Sequence, residues 1–501
     1  MNPSKTPAPV HPDASPPPLR PAASMILISQ RPELQVLWVR RSEANPFLGG
    51  FHSFPGGRFS GEDGPLDGDP AARKLAMLRC AVRETFEETG ILVGLRGDSP
   101  GLDVQQGVRR QVLEGKLEFW PTVERWGLSL DAAYFRMSGR WITPPFSRAR
   151  FDTMFFVAEL DAPSAPDVWP GELESGEWIS PGRALDLWDE DRVALAMPAL
   201  HAFRVIADGA HDLPRRLCAI PEANGMPSRY VDVRAGMTMV PLKTATLPPA
   251  THTNAIVVGD GDAVVIDPGT DDPAELAVLF DVVDRAIAGG GAVRAILLTH
   301  RHKDHLGGVE AVRARYGAPV WGHPLTGDRV NLDRALEDGD RIDLPGRHPR
   351  ILRVMATPGH SRSHLAFYEE TSRTICSGDL VSTLVTVVID PPDGNMRDLL
   401  SSVERIRALA PTTLIPAHGP PSRGVDHLLR NLIEHRNARE ARILRALQEG
   451  PMSEEDLLVE VYRDTPGAPA SLAARTLEAH LEKLVLEGRV RRESGRVGLT
   501  G

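Results

Sequence analysis

Short apolar runs and helical periods alternate along the chain in three blocks. In the first, M-I-L-I (residues 25–28) and L-Q-V-L-W-V-R (residues 34–40) predict two strands around the turn-former R-P-E. A Gly/Pro-rich passage over residues 47–70 follows, then a helical stretch over 71–89. Strands over 140–143 and 153–160 and a helix near 181–188 carry the block to about Gly209. The second block opens near Arg229, with strands over 255–258 and 263–267, a helix over 272–286 and a strand over 295–299. It closes with a strand over 413–416 and a helix over 425–435. Strands alternating with helices in this way predict a layered α/β domain. In the third, a helix around 441–448 is stopped by Gly450-Pro451, and Ser453-Glu-Glu-Asp supplies an N-cap and an acidic first turn. A helix over 471–487 and two short strands around Ser494-Gly495 complete the pattern of a winged helix.

A length of 501 residues agrees with this division, at roughly 150 residues per domain. The expected boundaries are 1–22 for a disordered tail with eight prolines, 23–210, a linker over 211–228, 229–430 and 431–501. No apolar run approaches the ~20 residues that cross a bilayer, so no membrane association is expected. With 57 Lys and Arg against 67 Asp and Glu, the net charge is −10, unlike a broadly basic nucleic-acid binder. Only Cys80, Cys218 and Cys376 occur, without a C-x-x-C pair. That excludes a disulfide scaffold or a cysteine-rich zinc ribbon and fits a reducing cytoplasm. A metal site here must be built from histidines and carboxylates.

The helix ending at Gly90 reads R-E-T-F-E-E-T-G-I over residues 83–91. Glu84, Glu87 and Glu88 therefore share one helical face, where three carboxylates repel one another unless a cation sits among them. A bare E-x-x-E-E is more often a solvated acidic face, but F-P-G-G (residues 54–57) precedes it here. The segment resembles the Nudix hydrolase family over about residues 23–209, in the branch of coenzyme A diphosphatases with an insertion after F-P-G-G. V-R-R-S (39–42), W-I-T-P (141–144) and R-F-D-T-M-F-F-V (150–157) support that branch. The resemblance implies an α/β/α sandwich and Mg²⁺ or Mn²⁺ on Glu84, Glu87 and Glu88. It also implies ion pairing by Arg83, backbone roles for Gly57 and Gly90, and hydrolysis of a diphosphate substrate of coenzyme A or nucleotide type. The sequence departs from the family where Leu75 replaces an expected glutamate and Asp69 a glycine, behind an insertion holding Glu62 and Asp63. Loss of that glutamate keeps open a non-catalytic binding module. Glu172, Glu174 and Glu177 are weak candidates for a catalytic base.

A second cluster, T-H-R-H-K-D-H over residues 299–305, ends a strand. One histidine is commonly a core or surface residue. Three within six residues, together with Asp304, instead supply nitrogen and oxygen ligands for two cations from one loop. The pattern resembles the metallo-β-lactamase superfamily. P-G-H (358–360), S-G-D (377–379), A-H-G (417–419) and I-D-P-G (266–269) follow suit. The resemblance implies an αβ/βα sandwich with His300, His302 and His360 on one metal, and Asp304, His305 and His418 on another. Asp379 would bridge the metals, and Asp267 would support the site. Two Zn²⁺ ions are implied, with Mn²⁺ or Fe as alternatives, activating water for hydrolysis; Asp304 is counted among the catalytic residues. Cys376 is expected as a small core residue, and His364 as a packing or hydrogen-bonding residue.

The tail narrows the group. H-R-N-A-R-E (435–440), V-Y-R-D-T-P (461–466) and L-E-A-H-L-E-K-L-V-L-E-G-R-V (477–490) resemble the β-lactamase-like protein 2 group, as does I-D-P-P-D-G-N-M (389–396). That group carries a C-terminal winged helix and includes a single-strand endoribonuclease. Residues 431–501 hold 11 Lys and Arg against 12 Asp and Glu, a poor footprint for nucleic acid outside Arg489, Arg491, Arg492 and Arg496. The expectation is a bifunctional metal-dependent hydrolase whose second site acts on single-stranded RNA, with an acyl-CoA-type thioester as the rival substrate. The winged helix also offers a homodimer contact.

Overall fold

A computed structural model of the chain describes residues 17–500, except 46, 148, 170 and 466–468. Among the described residues no helix is long and apolar enough to cross a membrane. Two compact units divide at Ala235 and Gly236.

In Pro17–Ala235 the central strand Leu19–Ser29 runs parallel to Arg150–Leu160 over its whole length, and antiparallel to Gln35–Arg41 at its far end. Of the expected tail, residues 1–16 lie outside the described residues. Residues 19–22 belong instead to this strand, because Pro21 leaves its neighbours free to pair: Ala22 aligns with both Thr153 and Arg58. Against the sheet lies the helix Pro70–Thr89. Asp69 caps it by accepting from Ala71 N at 3.0 Å, and Gly90 ends it in the left-handed conformation at φ 74°. Its Met77, Cys80, Ala81 and Phe86 enter a core with Met25, Leu27, Leu37 and Phe156. The segment expected as a linker holds a short helix, Leu213–Leu217, and a turn, Pro221–Ala223. Leu213, Leu217 and Ala223 bury themselves in a second core with Trp38 and Phe203, which is why this polar-looking stretch is ordered.

Among its described residues the second unit contains two large sheets and a two-stranded one. One steps antiparallel from Met237–Lys243 through His252–Val258 to Ala263–Ile266, then parallel to Val293–Leu297, Val320–Gly322 and Arg334–Ala335. The other runs Arg341–Leu344, Arg350–Ala356, Leu365–Glu369, Thr374–Gly378 and Thr413–Pro416, its last step parallel. Asn254 ties the sheets where they meet, donating from Nδ2 to Pro416 O and Gly419 O, each at 2.8 Å. Helix Met396–Ala408 buries Met396, Leu399, Val403 and Ile406 against the second sheet's core.

The break expected between 435 and 441 is absent: Val425–Ala446 is one helix. It contains no Gly or Pro, and its Arg436, Arg439 and Glu440 are buried, so nothing stops it. Helices Glu454–Val461 and Ala470–Leu486 follow, with the hairpin Val490–Glu493 and Arg496–Leu499. Ile443, Leu457, Leu477, Leu481 and Val490 close this small core.

Candidate functional site

In the first unit the acidic face of Pro70–Thr89 is organised by Arg83, which is 4% exposed. Its Nη1 donates to Glu84 at 2.8 Å and Glu87 at 3.1 Å. Its Nε and Nη2 grip the two oxygens of Asp63, each at 2.9 Å, and Nη2 also reaches Arg58 O at 2.9 Å. Glu88 accepts from Gly56 N at 2.8 Å. A Cβ at Gly57 would lie 2.3 Å from Glu84 Oε2, so any larger residue there would displace the Glu84 carboxylate. Burial pushes Glu84 up to about 7, Arg83 opposing and Glu87 adding to the rise. Burial also raises Glu87, and raises Glu88 further with the charge of Glu84. Three such carboxylates suit a cation that would replace their protons.

The insertion turns out to supply part of this cluster. Asp63 is wholly buried, and beyond Arg83 it takes Ser60 N at 2.9 Å and Trp120 Nε1 at 3.3 Å. Glu62 approaches Arg83 at 3.9 Å. The signal available in the sequence was S-G-E-D (60–63), a capping box in front of the helix. Leu75 is 45% exposed. Of the candidate bases, Glu174 pairs with Arg40 at 2.6 Å and Glu177 accepts from Trp38 Nε1 at 3.2 Å. Glu172, paired with Arg41 at 2.9 Å, is the one whose charge reaches Glu84 and Glu88.

In the second unit the candidate ligands sit just past the carboxyl ends of strands from both sheets. His300 follows Val293–Leu297, His360 follows Arg350–Ala356, Asp379 follows Thr374–Gly378, and His418 follows Thr413–Pro416. His302 caps the one-turn helix Lys303–Leu306 that carries Asp304 and His305. His302 Nδ1 stands 2.9 Å from His300 Nε2 and 3.0 Å from His360 Nε2. On the other side, His418 Nε2 lies 3.6 Å from Asp304, and His305 Nε2 lies 4.0 Å from it. Asp379 stands between the two groups, with Oδ2 3.5 Å from His360 and 3.7 Å from His305, and Oδ1 3.2 Å from His418.

The outward ring nitrogens are held by partners. His305 Nδ1 donates to Asp267 at 2.8 Å, His360 Nδ1 to Val388 O at 2.8 Å, and His418 Nδ1 to His252 O at 2.8 Å. Asp267 adopts φ 47°, a strained conformation for a residue with a side chain, and also binds Thr299 N at 2.8 Å and Thr299 Oγ1 at 2.6 Å. His364 accepts from Asp379 N at 3.0 Å and faces Thr357 Oγ1 at 2.8 Å, so it orients the loop of Asp379. Cys376 is wholly buried in the strand before it. Two further supports were not read from the sequence: Asp393, 3.7 Å from His302 Nε2, and the carbonyl of Val388. The turn-forming P-P-D-G was the only hint of them.

Three groups here could each hold a metal ion: His300, His302 and His360; His300, His305 and Asp379; and Asp304, His305 and His418. His305 Nε2 is buried without a hydrogen-bond partner, and Asp379 Oδ1 has only the 3.2 Å approach of His418 Nε2, so both atoms are disposed to take a cation. Burial keeps His300 neutral and lowers His302 to about 4, leaving lone pairs free for coordination. Burial would raise Asp379, but the charges of His418 and His305 hold it well below the usual carboxylate range. The donor set fits a dinuclear centre of Zn²⁺, Fe or Mn²⁺ type.

These architectures and clusters define two hydrolase classes. The family model of the metallo-beta-lactamase superfamily matches residues 248–418, and that of the NUDT19 Nudix domain matches residues 59–206. The beta-lactamase associated winged helix domain matches residues 453–497. The chain is thus a hydrolase that fuses a Nudix domain to a metallo-beta-lactamase domain with its associated winged helix. It is 27% identical over 244 residues to a beta-lactamase-like protein 2 homolog of Caenorhabditis elegans, covering 47% of this chain and 79% of that protein. A hydroxyacylglutathione hydrolase of Stenotrophomonas maltophilia is 36% identical over 160 residues, covering 32% of this chain and 57% of that protein. Among solved structures, a metallo-beta-lactamase family protein of Thermus thermophilus matches at 24% identity and a TM-score of 0.44, covering 53% of this chain and 99% of that one.

Proposed function

We propose that the chain is a two-site hydrolase, a diphosphatase in its first unit and a dinuclear thioesterase in its second. The convergence of seven His and Asp side chains carries the second assignment. His300, His302 and His360 would hold one cation, Asp304, His305 and His418 the other, with Asp379 between them. Glu84, Glu87 and Glu88 would hold Mg²⁺ or Mn²⁺ in the first. Bound divalent cations supply polarisation of the scissile group and a lowered pKa for water. Asp267, His252 O and Val388 O take the Nδ1 protons of His305, His418 and His360, so that each Nε2 faces inward, where a bound cation would take the place of any proton on it. Arg83 bridges Glu84 and Glu87 through Nη1 and so fixes both carboxylates.

Two observations favour a thioester over RNA. A hydroxyacylglutathione, the substrate named for the similar hydrolases, is a thioester. Three of the four wing arginines are also engaged: Arg489 pairs with Glu487 at 3.6 Å, Arg491 with Glu493 at 3.4 Å, and Arg492 with Glu478 and Glu454. Little free positive charge is left there for a phosphate chain. Single-stranded RNA stands as the second reading, supported by the winged helix and the beta-lactamase-like protein 2 homologs. Purified protein, H302A and E87Q should be assayed on acyl-CoA, single-stranded RNA and coenzyme A or nucleotide diphosphates. Thioester cleavage lost only in H302A is the expected result; RNA cleavage lost only in H302A, without thioester cleavage, reverses the choice. Diphosphate cleavage that survives E87Q removes the first assignment.

A further inference from the structure

One loop joins the winged helix to the metal-ligand cluster. Within residues 387–393, Val388 O accepts from His360 Nδ1 at 2.8 Å, and Asp393 lies 3.7 Å from the outer nitrogen of His302. Just beyond it, Asn395 N donates to Gly359 O at 2.7 Å, next to His360. From the opposite side, Arg436 on Val425–Ala446 donates from Nη2 to Val387 O at 2.5 Å. Arg475 on Ala470–Leu486 pairs with Asp390 at 2.6 Å. Ala479 of the same helix shares an apolar cluster with Val387 and Ile389.

Arg436 is an expensive way to fill this space. It is 3% exposed, its Nε lacks a hydrogen-bond partner, and among the described residues it has no ion pair. A buried guanidinium without a carboxylate is destabilising relative to an apolar side chain of similar volume, so packing alone does not account for it. Its hydrogen bond fixes the carbonyl immediately before the one that orients His360.

We propose that Arg436 and Arg475 are positioning residues of the metal centre: the winged helix fixes the 387–393 loop, and the loop fixes the imidazoles of His360 and His302. This rests on the dinuclear reading of the cluster. Partners that orient metal-ligating imidazoles typically change affinity by about 10–100-fold when lost, and a contact one step further out acts at the lower end.

The test uses the full chain, stripped with a chelator and titrated with Co²⁺, whose visible ligand-field absorption reports ligand geometry. R436M should weaken one of the two Co²⁺ steps about tenfold and alter its absorption, R436K should restore part of the loss, and R475A should weaken the same step severalfold. L481A is the control, because Leu481 is buried in the winged-helix core away from the loop. It should lower the melting temperature without changing Co²⁺ affinity. Unchanged affinity in R436M and R475A, or an equal loss in L481A, overturns the proposal. If R436M does not fold, R475A decides alone, since Arg475 and Asp390 are both about half exposed and their pair is dispensable for folding. H302A binding Co²⁺ like the wild type would instead overturn the dinuclear reading itself, and the clamp with it.

Discussion

Asp63→Asn removes one negative charge from beneath the Arg83 guanidinium while keeping the shape of the side chain. Asp63 is wholly buried and holds Arg83 through two bonds of 2.9 Å. Removing one partner of a buried ion pair costs about 3–5 kcal/mol. Glu84 and Glu87 still neutralise Arg83, so the lower end, about 3 kcal/mol, is expected. For a unit of this size each kcal/mol lowers Tm by about 2–4 °C, which places the first-unit transition roughly 6–12 °C lower. The released guanidinium would also turn fully toward Glu84 and Glu87 and compete with the cation they would hold. The Mg²⁺ concentration for half-maximal diphosphate hydrolysis should therefore rise. Leu75→Glu is the paired control. That position is 45% exposed, and surface changes are usually within about 0.5 kcal/mol, so Tm and Mg²⁺ dependence should stay at wild-type values. Thermal melting and hydrolysis at graded Mg²⁺ read both. The reasoning fails if D63N melts like the wild type, or if L75E shifts the Mg²⁺ dependence as D63N does.

Three further outcomes follow from the same geometry. E87Q should depress diphosphate hydrolysis by more than roughly tenfold and leave the second site's activity unchanged, measured on separate substrates. D267N removes the charge and leaves one accepting oxygen for the three donors Thr299 N, Thr299 Oγ1 and His305 Nδ1, so metal affinity should fall roughly 10–100-fold at the Asp304, His305 and His418 position; metal analysis after dialysis would show one ion lost before the other. Acid should loosen the winged helix in two stages. Burial lowers His480 despite its contact with Glu440, so the neutral form contributes stability present above about 6.5 and lost as pH falls through the lower folded value. Burial would raise Glu440, but its bonds from His480 and Lys483 lower it, so a second loss begins below about 4.5. Protection from amide exchange along Ala470–Leu486, corrected for the slower intrinsic exchange in acid, should fall in both windows; protection unchanged from pH 7 to 4 would contradict it.

The two candidate sites were legible to different depths, for a physical reason. The Glu84, Glu87 and Glu88 face follows from helical spacing, because one element presents all three. Asp63 does not: it lies twenty positions before Arg83, and only folding of the insertion brings it beneath the guanidinium. A reader of the sequence sees the glutamate replaced by Leu75 and suspects a disabled site. The structure shows Arg83 fully served from elsewhere. The same limit explains the missed helix continuity at 435–441. Arg436, Arg439 and Glu440 read as a polar surface segment, and their burial depends on partners up to 49 positions away.

In the second site every candidate ligand was visible as a short motif at a strand end, since strand ends are where a layered α/β unit presents polar side chains. What sequence could not supply was the direction of each ring. An imidazole has two nitrogens, and the ligand is whichever one its other partner leaves free. For His305 and His418 that partner is Asp267 or the carbonyl of His252; for His360 it is the carbonyl of Val388, and a carbonyl carries no sequence signature at all. Motif matching therefore finds candidate ligands and overlooks the backbone that aims them. Because Val388 belongs to a loop held by Arg436, the dependence of His360 on the winged helix runs through a main-chain atom, where a search for matching side chains would not find it.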